Sequence, residues 1–328
     1  MSLIFIFLDG IGLAPAGPDN PLTVASTPAL GGLLGGPLTI EQARRGGASY
    51  RGHREPTSNG NTCESFVFSR AEMSRWQGEV LFKGIDAALG MPGLPQSGTG
   101  QTALLAGVNA AALHGRHQPH FPPVALRPLL AERNMLRRVV LRGGRATFAN
   151  AFGPRYWEAV AARRIRRSAS VIAAEGAGLR FRDLDDLRAG RAIAWDVTGA
   201  ALREHEPYAG LPFFTPHEAG TNLARLADDH ELVFYESFLP DLAGHGRLAI
   251  GVGAAMALLD GLIGGVLATL HPADSLLITS DHGNIESVAA PAHTRNPVPL
   301  LVAGPAARAF AGVESIVGVA DVIDKVIR

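Results

Sequence analysis

Asp281 and His282 stand side by side in Thr279-Ser280-Asp281-His282-Gly283-Asn284-Ile285-Glu286, and His293 follows in Ala292-His293-Thr294-Arg295-Asn296-Pro297-Val298-Pro299. A carboxylate and an imidazole on adjacent residues point in different directions, which suits a pair of metal ions better than one, and His293 returns as a third ligand. Asp241 and His245 form a second pairing in Leu239-Pro240-Asp241-Leu242-Ala243-Gly244-His245. Four residues apart, they can converge on one ion, whereas a buried and unpaired Asp would be costly. Asp9, in Phe7-Leu8-Asp9-Gly10, adds a carboxylate whose following glycine lets the backbone come close to a ligand. Taken singly, each is also what a strand-end turn or a helix cap looks like. Independent turns rarely supply all of them in one chain, so the set points to a metal centre.

A nucleophile is offered elsewhere. The stretch Gly90-Met91-Pro92-Gly93-Leu94-Pro95-Gln96-Ser97-Gly98-Thr99-Gly100-Gln101 runs into a helix-like Thr102-Ala103-Leu104-Leu105-Ala106-Gly107. It delivers a hydroxyl to a helix N-terminus, where backbone N–H groups and the dipole favour an anion. Ser97 is the first choice for that hydroxyl and Thr99 the second; a plain capping role is the alternative for either. His114, His117 and His120 lie among prolines and read as a surface loop that could form part of a rim over the site. Arg155 and the group Arg163, Arg164, Arg166 and Arg167 follow on a helix-like stretch, from which one or two could reach a phosphate or carboxylate.

These side chains need rigid elements behind them. Residues 2–8 and 274–279 are apolar runs that read as buried parallel strands ending at Asp9 and at Asp281, where open α/β sheets place their sites. Residues 146–151 and 232–238 read as two more strands, and Thr215-Pro216-His217-Glu218 opens a helix with Pro in its first turn. Residues 248–270 are almost entirely apolar and about long enough to cross a bilayer. Asp260 in their middle, the recurring glycines and the strand that follows fit a helix buried against a sheet instead. Gly31-Gly32-Leu33-Leu34-Gly35-Gly36 reads as a helix end and loop, because it does not follow a strand as a nucleotide loop would. From about 44 to 78 the composition turns polar and loses periodicity, which predicts an exposed excursion.

At 328 residues the chain can bury a large core without staples. Lys+Arg and Asp+Glu both number 30, so no overall basic field draws it to nucleic acid or to a membrane surface. The single cysteine, Cys63, forms no intramolecular disulfide, and no charged leader precedes the first apolar run, so a cytoplasmic protein is expected.

Together, Phe7-Leu8-Asp9-Gly10, Gln96-Ser97-Gly98-Thr99-Gly100-Gln101, Asp241-Leu242-Ala243-Gly244-His245, Asp281-His282-Gly283-Asn284 and His293-Thr294-Arg295-Asn296-Pro297-Val298-Pro299 resemble the alkaline phosphatase superfamily. The resemblance lies with its branch of cofactor-independent phosphoglycerate mutases and phosphopentomutases. It implies an α/β fold, a three-layer αβα sandwich on a mostly parallel central sheet. It also implies one metal held by Asp241, His245 and His293, and another by Asp9, Asp281, His282 and the nucleophile Ser97. Gly98, Thr99 and Arg155 would bind the substrate, a small phosphorylated molecule. The imidazoles lean towards Mn or Zn as the two divalent ions, with Mg third. Those mutases carry a large second domain between nucleophile and Asp-x-x-x-His motif, an interval that here must also supply core elements. A single domain with at most a reduced cap within about 114–215 is therefore expected. The expected activity is two-metal phosphoryl transfer, a phosphatase working through phosphoserine; a phosphoglycerate or phosphosugar mutase is the first alternative and a non-catalytic metal-binding scaffold the second.

Overall fold

The computed structural model describes residues 1–45, 79–204, 210–290 and 292–327. Most of the polar excursion expected at 44–78, Cys63 included, lies outside the described residues.

β1 (Leu3–Leu8) has six consecutive apolar residues, all buried. Leu3, Phe5 and Phe7 face one core, and Ile4, Ile6 and Leu8 face the other. A strand that is apolar on both faces must be covered on both, so it sits inside a sandwich. The other strands are β2 (Val80–Ile85), β3 (Ala146–Phe148), β4 (Leu232–Ser237), β5 (Ser275–Thr279) and β6 (Val298–Ala303), in the sheet order β2-β6-β5-β1-β4-β3. Helices Ser97–Ala106, Arg127–Glu132, Met135–Leu141, Ala169–Gly176 and Val317–Val326 fill the first core. Helices Pro28–Leu34, Pro216–Arg225 and Val252–Thr269 fill the second.

β1 runs parallel to β4 and β5, and β3 runs parallel to β4. At the other edge β6 runs antiparallel to both β5 and β2. The mostly parallel sheet expected from the sequence thus holds for β5, β1, β4 and β3 and gives way at β6. The cause lies in the connection. Among the described residues no helix intervenes between Thr279 and Val298, and a parallel return would need a crossover, so the chain doubles back and carries the His293 loop across the strand ends.

The apolar stretch at 248–270 forms the helix Val252–Thr269. It is long and apolar enough by composition to span a bilayer, and half of that window is buried inside the fold. Its one carboxylate, Asp260, accepts the N–H groups of Ala29 (2.9 Å) and Leu30 (2.8 Å). Thr27, the cap residue of Pro28–Leu34, makes no side-chain bond, so an acid from another helix supplies the cap. The same helix keeps Gly31 and Gly32 inside it and ends at Gly35 in the left-handed conformation.

Candidate metal centre

All the side chains singled out as metal ligands come together at the carboxyl ends of three adjacent strands. Asp9 leaves β1, Asp281 and His282 leave β5, and Asp241 and His245 lie on and just past the short helix Leu239–Gly244 that follows β4. His293 arrives on the loop before β6, and Ser97 on the first turn of Ser97–Ala106.

His282 Nε2 is the centre of one half. It lies 2.9 Å from Ser97 Oγ, 3.2 Å from Asp9 Oδ1 and 3.5 Å from Asp281 Oδ2. In the other half Asp241 Oδ1 lies 3.4 Å from both His245 Nε2 and His293 Nε2, which are themselves 3.2 Å apart. The halves touch, since the rings of His282 and His293 stack with centroids 3.7 Å apart. His293 Nδ1 donates to the Pro95 carbonyl (2.9 Å), which leaves its Nε2 lone pair aimed at Asp241 and His245. Two groups could each hold an ion: Asp241, His245 and His293, and also Asp9, Asp241 and His282. Asp241 thus borders both positions. Asp281 approaches the second group through its contact with His282.

The donor set fits divalent cations. Asp9 Oδ1, both carboxylate oxygens of Asp281 and His282 Nδ1 are buried without a hydrogen bond among the described residues. Anionic oxygens in such a place carry a heavy desolvation cost that a cation would offset. Burial, then the neighbouring Asp9 carboxylate, pushes the Asp281 carboxyl well above the usual range. Burial lowers His282, but the Asp9 and Asp241 carboxylates and the Gly283 backbone together raise the imidazole. Asp241 shows the opposite balance: burial pushes it up, while His293, His282, Asn284 and His245 together bring it down to about 2. Burial lowers His245, against the pull of Asp241.

The two hydroxyls differ in what they touch. Thr99 Oγ1 donates to the Gln96 carbonyl (3.3 Å) and accepts from the Gln118 N–H (3.2 Å), while the Thr99 N–H donates to the Gln118 carbonyl (3.3 Å). It ties the histidine- and proline-rich loop to the helix. Ser97 Oγ faces His282. Gly98 permits the same loop contact, since a Cβ there would run into the carbonyls of Gln118 and Phe121. His114, expected in a loop, instead ends the short helix Ala110–His114, His117 and His120 follow it outside any helix, and none of the three joins a metal-binding group among the described residues. Arg155 is exposed in the first turn of Pro154–Ala161. Arg166 sits over the ring of Phe121 at 5.8 Å, and Arg167 pairs with Glu175 at 2.8 Å.

Three residues that the sequence reading left without a role belong to the centre. Gln101 Nε2 donates to Asp9 Oδ2 (3.1 Å). Asn284 Nδ2 donates to Asp241 Oδ1 (2.7 Å). Glu286 is fully buried beneath the loops. The spacing of Gln101, one helical turn after Ser97 on the same face, is the signal that could have found it.

Residues 217–323 match the Metalloenzyme superfamily. The match covers that span alone. It contains Asp241, His245, Asp281, His282 and His293, while Asp9 and Ser97 precede it. A 2,3-bisphosphoglycerate-independent phosphoglycerate mutase of Syntrophotalea carbinolica is 41% identical over 83 residues, covering 23% of this chain and 16% of the mutase. A phosphopentomutase of Levilactobacillus brevis is 47% identical over 62 residues, covering 19% of this chain and 16% of that enzyme. The chain therefore matches only a small part of the length of these relatives. In fold it is similar to a cold-active alkaline phosphatase of a Shewanella species, with a TM-score of 0.52, 14% identity and coverage of 100% of both chains.

Proposed function

We propose that the chain is a two-metal phosphoryl-transfer enzyme, a phosphatase that acts on a small phosphorylated substrate through a phosphoserine at Ser97. The observation that carries this reading is the position of Ser97 Oγ, 2.9 Å from His282 Nε2 at a helix N-terminus and within a buried cluster of acids and imidazoles. Asp241, His245 and His293 would hold one divalent ion; Asp9, Asp281, His282 and Ser97 would hold the other. Such ions supply Lewis acidity, charge neutralisation and a lowered hydroxyl pKa. Mn or Zn suits the imidazoles, with Mg as a third choice.

The chain's own groups orient the reaction. Ser97 Oγ attacks phosphorus, the Oγ–P bond forms as the bond to the leaving oxygen breaks, and water then cleaves the Oγ–P bond to release phosphate. The start of the Ser97–Ala106 helix, at Gly98, favours the phosphoryl oxygens, and Arg155 is assigned to the same anion, while Thr99, whose hydroxyl and N–H are engaged by Gln96 and Gln118, holds the neighbouring loop against that helix. Gln101 and Asn284 hold Asp9 and Asp241 in orientation.

Hydrolysis is placed ahead of mutase chemistry because of how the interval between Ser97 and Asp241 is spent. Its described residues supply β3, β4 and several helices to the two cores, which supports one domain with at most a reduced cap. The mutase reading is favoured by the printed activities of the two matched relatives.

The test is metal analysis of the purified chain beside phosphate release from an aryl phosphate, after chelation and re-addition of Mn, Zn or Mg. About two ions per chain, metal-restored release, and loss of at least about a thousandfold in turnover in Ser97→Ala are expected. Two ions without release would move the reading to a mutase, and no uptake of metal would overturn it.

A further inference from the structure

Glu286 is 0% exposed, and among the described residues no Lys, Arg or His pairs with it. Its carboxylate is satisfied entirely by neutral donors. Oε2 accepts the backbone N–H groups of Gly12 (2.9 Å) and Asn284 (2.8 Å). Oε1 accepts the hydroxyl of Thr294 and the side-chain amide of Asn296 (3.0 Å). These four donors come from three segments in two connections: the loop after β1 that carries Asp9, and the two arms of the single β5–β6 connection, one carrying Asp281, His282 and Glu286 itself and the other carrying His293.

Backbone bonds join these segments in pairs, Ile285 N–H to Gly10 carbonyl (3.2 Å) and Thr294 N–H to Gly283 carbonyl (2.9 Å). Glu286 reaches all three at once. The fit leaves no room for a side chain at its neighbours, since a Cβ on Gly12 or on Gly283 would overlap the Glu286 carboxylate. A fully buried acid side chain held by four hydrogen bonds, with no basic side chain beside it among the described residues, is an expensive way to stabilise a fold that apolar packing could stabilise instead. It is an effective way to fix the loop after β1 against the two arms of the β5–β6 connection, which must present ligands to a common centre.

We infer that Glu286 is the positioning residue of the metal centre: without touching an ion, it sets the separation of the ligand loops and so the affinity and geometry of both metal positions. The inference rests on the reading of Asp9, Asp281, His282 and His293 as ligands, and it adds a residue one layer further out.

The probe is cobalt(II) alone, added to the full chain after chelation and followed by titration calorimetry and by visible absorption, which reports ligand geometry. Glu286→Ala should weaken cobalt binding about 10–100-fold and change the band shape. Gly12→Ala, which crowds the same carboxylate from the other side, should reproduce both effects. Glu286→Gln should stay within about threefold of wild type. Its amide oxygen can still accept from Gly12 and Asn284, while its amide N–H groups face the Thr294 hydroxyl and a turned-over Asn296. Rescue by Gln also separates hydrogen-bonded positioning from any need for charge. Wild-type cobalt affinity and spectrum in Glu286→Ala, or in Gly12→Ala if the first variant fails to fold, would overturn the inference. So would a loss in Glu286→Gln as large as that in Glu286→Ala. Absence of cobalt uptake by the wild-type chain would overturn the metal reading and this inference with it.

Discussion

At the scale of single residues, the choice between two hydroxyls two positions apart turns on what each already bonds. Thr99 spends its hydroxyl and its N–H on Gln118, so Thr99→Ala should lower stability by about 1–2 kcal/mol while turnover is retained. Ser97→Ala should do the reverse. Urea unfolding and turnover measured on both variants check the pair, and full turnover in Ser97→Ala would remove Ser97 as nucleophile. Protonation provides a second test. In the metal-free chain the raised Asp281 and His282 favour their protonated forms, so metal binding near neutral pH must displace protons and affinity should rise with pH. Calorimetric titration in buffers of different ionisation enthalpy measures that release, and a binding heat independent of buffer would contradict it. The ligand types were legible from sequence because Asp and His stand at the ends of apolar runs. Gln101, Asn284 and Glu286 were not, because an amide or a carboxylate that bonds a loop far away in sequence leaves no local pattern.

At the scale of elements, Asp260 links two helices through a cap. Burial raises its carboxyl from 3.8 to about 6, against the lowering effect of the Leu30 and Ala29 N–H groups. With the folded pKa above the unfolded one, the associated stability is whole below about pH 4 and is lost as pH rises through about 6, at most about 3 kcal/mol. The difference in stability between wild type and Asp260→Asn should therefore shift by that amount between pH 4 and pH 7. Unfolding at a series of pH values checks this, and parallel curves would show that Asp260 titrates as in the unfolded chain. β1, β4 and β5 were legible because their runs are apolar on both faces. β6 has no such signal: Pro299 lies inside Val298–Ala303, and proline is an uncommon residue in a strand paired on both sides.

At the scale of the whole molecule, the candidate metal ligands lie at the ends of β1, β4 and β5, on the loop before β6 and on the first turn of Ser97–Ala106, so ions bound as proposed would tie these elements together. An ion that binds this arrangement and not the unfolded chain stabilises it by mass action, about 2.7 kcal/mol at a hundredfold excess over Kd. Chelation should accordingly lower the melting temperature by several degrees and saturating Zn or Mn should restore it, as scanning calorimetry would show. Equal melting temperatures with and without metal would mean that the strand ends are held by protein contacts alone. Sequence by itself determined that an α/β core would place Asp9, Asp281 and His282 at strand ends, because alternation, apolar runs and turn residues are local properties of the chain. Tertiary structure alone decided that β6 returns antiparallel and that Asp241 borders both candidate metal-binding groups. It also decided that Ser97 rather than Thr99 faces His282, and that Glu286 joins the loop after β1 to both arms of the β5–β6 connection. Each of these depends on distances between residues separated by tens to hundreds of positions, which are set by how the sheet packs and not by any stretch of sequence.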